Sequence, residues 1–471
     1  MCGLINNMKQ MPDRGYISML VLVFAGVFFI IVSALAGFIF AQNKLQLVKE
    51  NREKALQIAE AGLDYYKWRL SHYPNDLQDG TGIAGPYEHQ YADPEGGEVG
   101  TFSLDISGNE QCGVTRSIDI LSTGSALADP SITRTVFGKY ARPSVAEYSF
   151  ILNSNVWSGS ASAVLGRMHS NGGIRMDGNN QSLVESGVST WTCTSSQGCD
   201  PSAVKSGIYG TGTNPQLWQY PVPQIDFSGI STDLSDMKTK AESSGLYLAP
   251  STGFGYHLVF KNNGTIDAYR VDSASSVLGY SSQVGAYVQD YHTITSETFL
   301  QNYSLPSDCK LVFAEDDVWL DGVVNGKITV ASADLINANA TTDIILNNSI
   351  DYSTLTGTDG LTAVAEDEIL IPLYVPTNML LRGIFLAKSG MFGRRYYDVS
   401  TDSTYYLRDS LLVYGTIVTN YGAIATWCGS ANPCSGFRTR SYSYDRTQAV
   451  NPPPLTPYVS SDYRFVEWRE E

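Results

Sequence analysis

Between Arg14 and Lys44 the chain has no charged side chain. Residues 15–43 are mostly Val, Ile, Leu, Phe, Ala and Gly. About 20 consecutive apolar residues span a bilayer, so this run is long enough for a membrane helix. A cleaved secretory signal has a shorter apolar core, roughly 7–15 residues, ending in a small-x-small site. "SALAG" (Ser33–Gly37) offers such a site, but the run ahead of it already exceeds that core. Lys9 and Arg14 on the short flank favour a cytoplasmic N-terminus. Everything beyond the span is then exported.

The stretch after the span is amphipathic. From Asn43 to Leu70 there is no Pro. Leu45, Val48, Ala55, Ile58, Ala59, Gly62, Leu63, Tyr66 and Leu70 recur at spacings of three, four and seven. That is one apolar stripe at helical period. Glu50 precedes Lys54 by four residues, the favourable order for a helical ion pair. One helix is predicted from about Ile17 to about His72, ending at Pro74-Asn75-Asp76. At 1.5 Å per residue it is ~80 Å long.

A short basic leader ending in Gly15, an apolar helix, an amphipathic continuation and a β-rich remainder resemble the type IV pilin superfamily. "ALQIAEAGLDYY" (Ala55 to Tyr66) is similar to a segment of the PilX-type minor pilins and the K-type pseudopilins. The resemblance implies cutting by a prepilin peptidase after Gly15, with Tyr16 as the new N-terminus. It implies packing of this helix against other pilins. Major pilins carry Glu five residues into the mature chain; here that position is Leu20, which fits minor or tip-located members.

Composition narrows the partners. The net charge of -16 argues against nucleic acid, whose phosphates need a basic face. Cys193 and Cys199, in "CTSSQGC", and Cys428 and Cys434, in "CGSANPC", each enclose a tight polar loop that a disulfide could close. Such pairs imply an oxidising compartment. No His lies near either pair, which argues against zinc. Cys112 and Cys309 are left over, and the sequence does not pair them.

The rest is predicted to be β. Residues 76–96 have loop composition. "EVGTFSLDIS", "TRSIDILSTGSA" and "SITRTVFGKYAR" alternate as three strands of a small antiparallel sheet between Glu98 and Arg142. Later runs such as "DDVWLDGVVNGKITVAS" and "LLRGIFLAKSG" recur roughly 24 residues apart with Gly, Asn or Asp corners, a pattern that suits a solenoid. A right-handed β-helix is predicted, with a β-sandwich as the alternative. "YSYDRTQAVNPPPLTP" (Tyr442 to Pro457) is similar to a tail of large PilX-like surface proteins. The expected division is a leader (1–15), a transmembrane and amphipathic helix (16–75), a small pilin-like β domain (76–145) and a β-helix-like surface domain (146–471). Within the last, Phe227 to Gly245 reads as a helix and Gly255 to Val271 as a hairpin with an Asn-Gly turn. They suggest an insertion, about 224–300, projecting as a binding face.

Catalytic chemistry is thinly represented. The five histidines are scattered, and "HSNGG" (His169 to Gly173) has corner chemistry. There is no GxSxG and no P-loop. Glu315-Asp316-Asp317, Glu366-Asp367-Glu368 and Asp93 with Glu95 and Glu98 offer oxygen ligands for calcium. K-type pseudopilins bind calcium, but their motif does not map here residue by residue. "GRRYYDVSTDSTYYL" (Gly393 to Leu407) offers aromatic contacts for a surface or glycan ligand. The expected role is a non-enzymatic pilin-like surface protein, with no cofactor beyond candidate calcium. The alternatives are a membrane-tethered carbohydrate-active β-helix and a permanently anchored surface protein.

Overall fold

The computed structural model describes residues 14–74, 76–230, 233–337, 340–428, 434–460 and 462–471. Residues 1–13 of the expected leader, Asn75 of the expected helix stop and residues 429–433 of the Cys428–Cys434 loop lie outside that set. The chain is mainly β behind one long helix, α1, Arg14–His72. It divides into two units. The first comprises residues up to 107, 119–139 and 467–471; the second comprises 108–118 and 140–466.

In the first unit, Ala55, Ile58, Ala59, Leu63, Tyr66 and Leu70 of α1 are buried. They are the stripe residues from the later turns of the helix. They pack with Phe102, Leu104 and Ile120 of a sheet ordered β1 (Tyr87–Ala92), β2 (Glu98–Gln111), β3 (Val114–Ala126), β4 (Asp129–Ala141) and the C-terminal strand Arg464–Glu470. Approach is close. A Cβ at Gly124 would collide with the backbone of Ala55 and Ala59, and one at Gly62 with Ser122 Oγ. The helix stops where Tyr66 donates to the Asp76 carbonyl (2.6 Å) and Arg69 pairs with the Asp76 carboxylate (2.9 Å). Strand β1 falls inside the stretch read as loop. Its polar sequence "YEHQYA" pairs at the sheet edge, His89 opposite Phe102.

The second unit is a solenoid of parallel strands. One inward ladder runs Leu246, Val312, Val330, Ala363, Phe385, Ile417, Phe150, Met168, Val184, Trp218 through consecutive registered strands. A second face stacks Tyr256, Val318, Ile344, Ile369, Phe392 and Ala423. A third stacks Ile350, Leu381, Val413, Tyr442 and Val164. These side chains fill one apolar core. The stacking is parallel throughout, so the sandwich alternative does not apply. The roughly 24-residue spacing is only an average: Met168 follows Phe150 by 18 residues, whereas Ala363 follows Val330 by 33. Loops of different length leave each coil at its corners.

Coil order departs from chain order. Strand Phe150–Leu152 stacks on residues 417–419, so the coils of 150–219 continue those of 246–443. The first and last rungs, 246–248 and 218–219, are therefore the ends of a single connecting segment. That segment holds α2 (Phe227–Ile230) and α3 (Leu234–Ser244). It returns along the outside of the first face, where Ile230, Leu234, Met237 and Ala241 cover Phe313, Ala331, Val364 and Leu386.

Residues 224–300 do not project, contrary to the sequence expectation. The Asn263-Gly264 turn is present between strands Gly255–Phe260 and Thr265–Ser281. The second of these then pairs with Ala286–Ser304 in a long hairpin that lies along the second face. Val271 and Ile294 of the hairpin pack on Trp319 and Ile345, and Trp319 Nε1 donates to the His292 carbonyl (2.8 Å). The outer surface of the solenoid is apolar here and needs cover. Three disulfides close: Cys112–Cys309, Cys193–Cys199 and Cys428–Cys434.

Candidate functional site

The feature that most restricts function is the first half of α1. Every large apolar side chain from Tyr16 to Val48 is exposed. The helix is long and apolar enough to cross a membrane. Fully burying a Leu, Ile or Phe contributes about 1.5–3 kcal/mol, so covering this surface contributes tens of kcal/mol. Water alone cannot be its environment. Leu20 lies among these exposed residues, and the first turn holds no acid. Gly15 and Tyr16 are both helical. Gly26 and Gly37 have open space where a Cβ would be, so a neighbouring helix can come close there.

The calcium candidates do not converge. Glu315 pairs with Lys238 and accepts from the Leu335 N–H (3.0 Å). Asp316 accepts from the Ser251 N–H (2.8 Å), and Asp317 from the Asp343 N–H (2.8 Å). Consecutive carboxylates at one corner thus turn to different partners, on α3 and on two separate loops. Among the described residues no group of three or more His, Cys, Asp or Glu is placed to hold a metal. The reading of Glu315, Asp316 and Asp317 as calcium ligands is not supported by this geometry. Glu366 and Glu368 are likewise engaged, with the Asp334 N–H and with Arg395.

These acids form instead a column that sequence reading did not anticipate. Asp317 accepts from Asp343 N, and Asp343 from Glu368 N (2.9 Å), one coil after another. Burial pushes Asp317 up to about 7, with the Asp316 charge adding to it. Burial raises Asp343 well above the usual carboxylate range, and Asp317 reinforces it. Beside the column, Arg395 bridges Asp290 of the hairpin (2.7 Å) and Glu368 (2.8 Å), and Tyr397 donates to Asp290 (2.9 Å). This knot fastens the hairpin. Burial still lifts Asp290 to about 6 and Glu368 to about 7. The only sequence signal was the doubled acids, which gave no direction for their side chains.

The aromatic stretch Gly393 to Leu407 is buried only at its start, through Arg395 and at Tyr397; Tyr396, Tyr405 and Tyr406 are half-buried, and residues 399–401 and 403–404 are exposed. Arg394 is buried, donating to the carbonyls of Pro372, Leu373 (3.0 Å) and Tyr405 (2.7 Å), and Tyr397 is buried beside it. His169 lies not at a corner but within the strand Met168–Ser170, where it is buried, 2.9 Å from Asn171 Oδ1, and burial lowers its pKa.

No protein-family model matches the chain, and no curated protein does. Among solved structures it is similar to the competence-associated pilin ComZ from Thermus thermophilus, at 11% identity and a TM-score of 0.32. The match covers 89% of this chain and 98% of that one. A likeness that faint fixes neither fold nor role.

Proposed function

We propose that this chain is a non-enzymatic pilin-like surface subunit. In this reading a prepilin peptidase cuts after Gly15. The helix from Tyr16 sits in the cytoplasmic membrane and then packs among the helices of other pilins. The β-rich remainder is displayed outside the cell as a minor or tip-located subunit or an adhesin. One observation carries the reading: a single unbroken helix is wholly exposed and apolar over its first half and packed on its own sheet over its second. Such a helix suits both lipid and a bundle of like helices. The lack of an acid at Leu20 favours the minor role, and three disulfides suit an exported compartment. Glu315, Asp316, Asp317, Asp343, Glu366 and Glu368 are spent on backbone N–H groups and ion pairs, which favours display over glycan cleavage.

N-terminal sequencing of the mature protein tests this directly. A start at Tyr16 is expected. An intact leader on a membrane-bound protein would replace the pilin reading with a permanent anchor. A glycan-cleavage screen that returned product would end the non-enzymatic part.

A further inference from the structure

A small, solvent-open surface pocket in the second unit is lined by Arg116, Ser117, Arg142, Asn451 and Tyr458, among others. Arg116 is only 8% exposed. It donates to the Pro453 carbonyl and lies a stretched 3.5 Å from Gln111 Oε1. Arg142 stacks 4.9 Å from the Tyr463 ring centre and 5.8 Å from that of Tyr458. Neither Nε has a hydrogen-bond partner among the described residues. Among the same residues neither guanidinium has a carboxylate within ion-pairing distance. Behind the same wall, Lys327 reaches Gln448 Oε1 (3.0 Å) and the Asn451 carbonyl, again with no paired acid among the described residues. Burial first, and the Arg116 charge after it, hold Lys327 down at about 8 despite attraction from Asp445 and Asp359.

Three cations crowd one place in a chain of net charge -16. Other buried arginines are provided for. Arg395 has two carboxylates, and Arg394 and Arg408 each donate to three carbonyls, although the Nε of Arg394 too lacks a hydrogen-bond partner among the described residues; Arg116 has one carbonyl and the long contact to Gln111. A buried charge without a counter-charge is costly, and removing that cost is what an anion would do. The guanidinium fork matches the oxygen spacing of carboxylate, sulfate and phosphate. Ser117 accepts from Asn109 Nδ2 (2.9 Å), which leaves its own hydroxyl proton to donate.

We propose that this cavity is a binding site for one small oxyanion, either free in the medium or carried on an acidic saccharide. The test is thermal unfolding of the full chain in detergent, with low-millimolar sulfate, phosphate, acetate or glucuronate against sodium chloride of equal ionic strength. A saturable rise in Tm of roughly 1–3 °C is expected. A general salting effect of sulfate does not saturate in this range. The strongest rise with glucuronate would assign the saccharide, and with sulfate or phosphate the free ion. Arg142→Gln, at a half-buried position, should weaken the response at least tenfold, and Arg116→Met should remove it. Should Arg116→Met fail to fold, equilibrium dialysis of the wild-type chain with labelled sulfate decides independently, with one equivalent per chain expected. No saturable rise and no bound equivalent, or an unchanged response in Arg142→Gln, would overturn the site.

Discussion

Along α1, Phe24, Phe28 and Ile31 are 67%, 63% and 59% exposed, whereas Ile58, Leu63 and Tyr66 are 1%, 4% and 0% exposed. The backbone is the same helix throughout, with no break between the two halves. The difference lies in how side chains are arranged around it. The first half is apolar on every side, so no orientation of it could satisfy water. The second half confines its apolar residues to one stripe, and small residues on that stripe let a sheet come close. Helix formation is thus indifferent to the environment, while side-chain distribution selects it. A helix apolar all round calls for lipid or other helices; an amphipathic one is completed by its own chain.

The contrast can be broken from either side. The largest effect is expected from Phe28→Asp with Ile31→Asp. Each Asp near the centre of a membrane helix costs about 2.5–3.5 kcal/mol. The double variant should move from the membrane to the soluble fraction on flotation, while circular dichroism of the β-rich part stays unchanged. Retention in the membrane would show that the exposed half is held by something other than lipid. The mirror experiment is Ala59→Asp, which buries an unpaired charge over Gly124. It should destabilise the first unit by about 3–5 kcal/mol, seen as early proteolysis of that unit, and leave flotation intact. Gly124→Ala asks the same question more gently. Its Cβ meets backbone rather than a flexible side chain, so the cost is about 1–3 kcal/mol, read as a fall in Cm.

The smallest effect concerns the second unit, which the helix contrast leaves untouched. The Asp317 and Asp343 carboxyls bind protons more tightly when folded than unfolded. Their contribution is therefore present below the unfolded carboxylate pKa and is lost as pH rises, for Asp317 from 3.8 toward about 7. The Tm of the second unit should fall by roughly 2–4 °C over that window, and Asp343→Asn should flatten the slope. A slope unchanged in Asp343→Asn would place the titration elsewhere.

Much of α1 could be read locally. Uncharged residues in sequence and a stripe at period 3.6 involve neighbours within a few turns. The same holds for the Asn263-Gly264 turn, and for the two short disulfide loops, whose cysteines are six residues apart. The candidate metal ligands were misread for the opposite reason. Glu315, Asp316 and Asp317 are adjacent in sequence, but adjacent residues at a corner point to different partners, and those partners arrive from positions 238, 251, 335 and 343. The cavity with Arg116 and Arg142 gave no sequence signal at all, because it is assembled from residues more than 300 positions apart.

Composition and period, which act over a few residues, were enough to dictate a long helix of two characters, a β-rich remainder and a set of short apolar strands with polar corners. It took the folded chain to establish that Phe150 stacks on Ile417, that one segment returns from the last coil to the first, and that Cys112 meets Cys309. A three-residue apolar strand fits almost any rung of a parallel ladder equally well. Which rung it occupies is settled by the covering segments, the corner loops and the partners that every other strand has already taken.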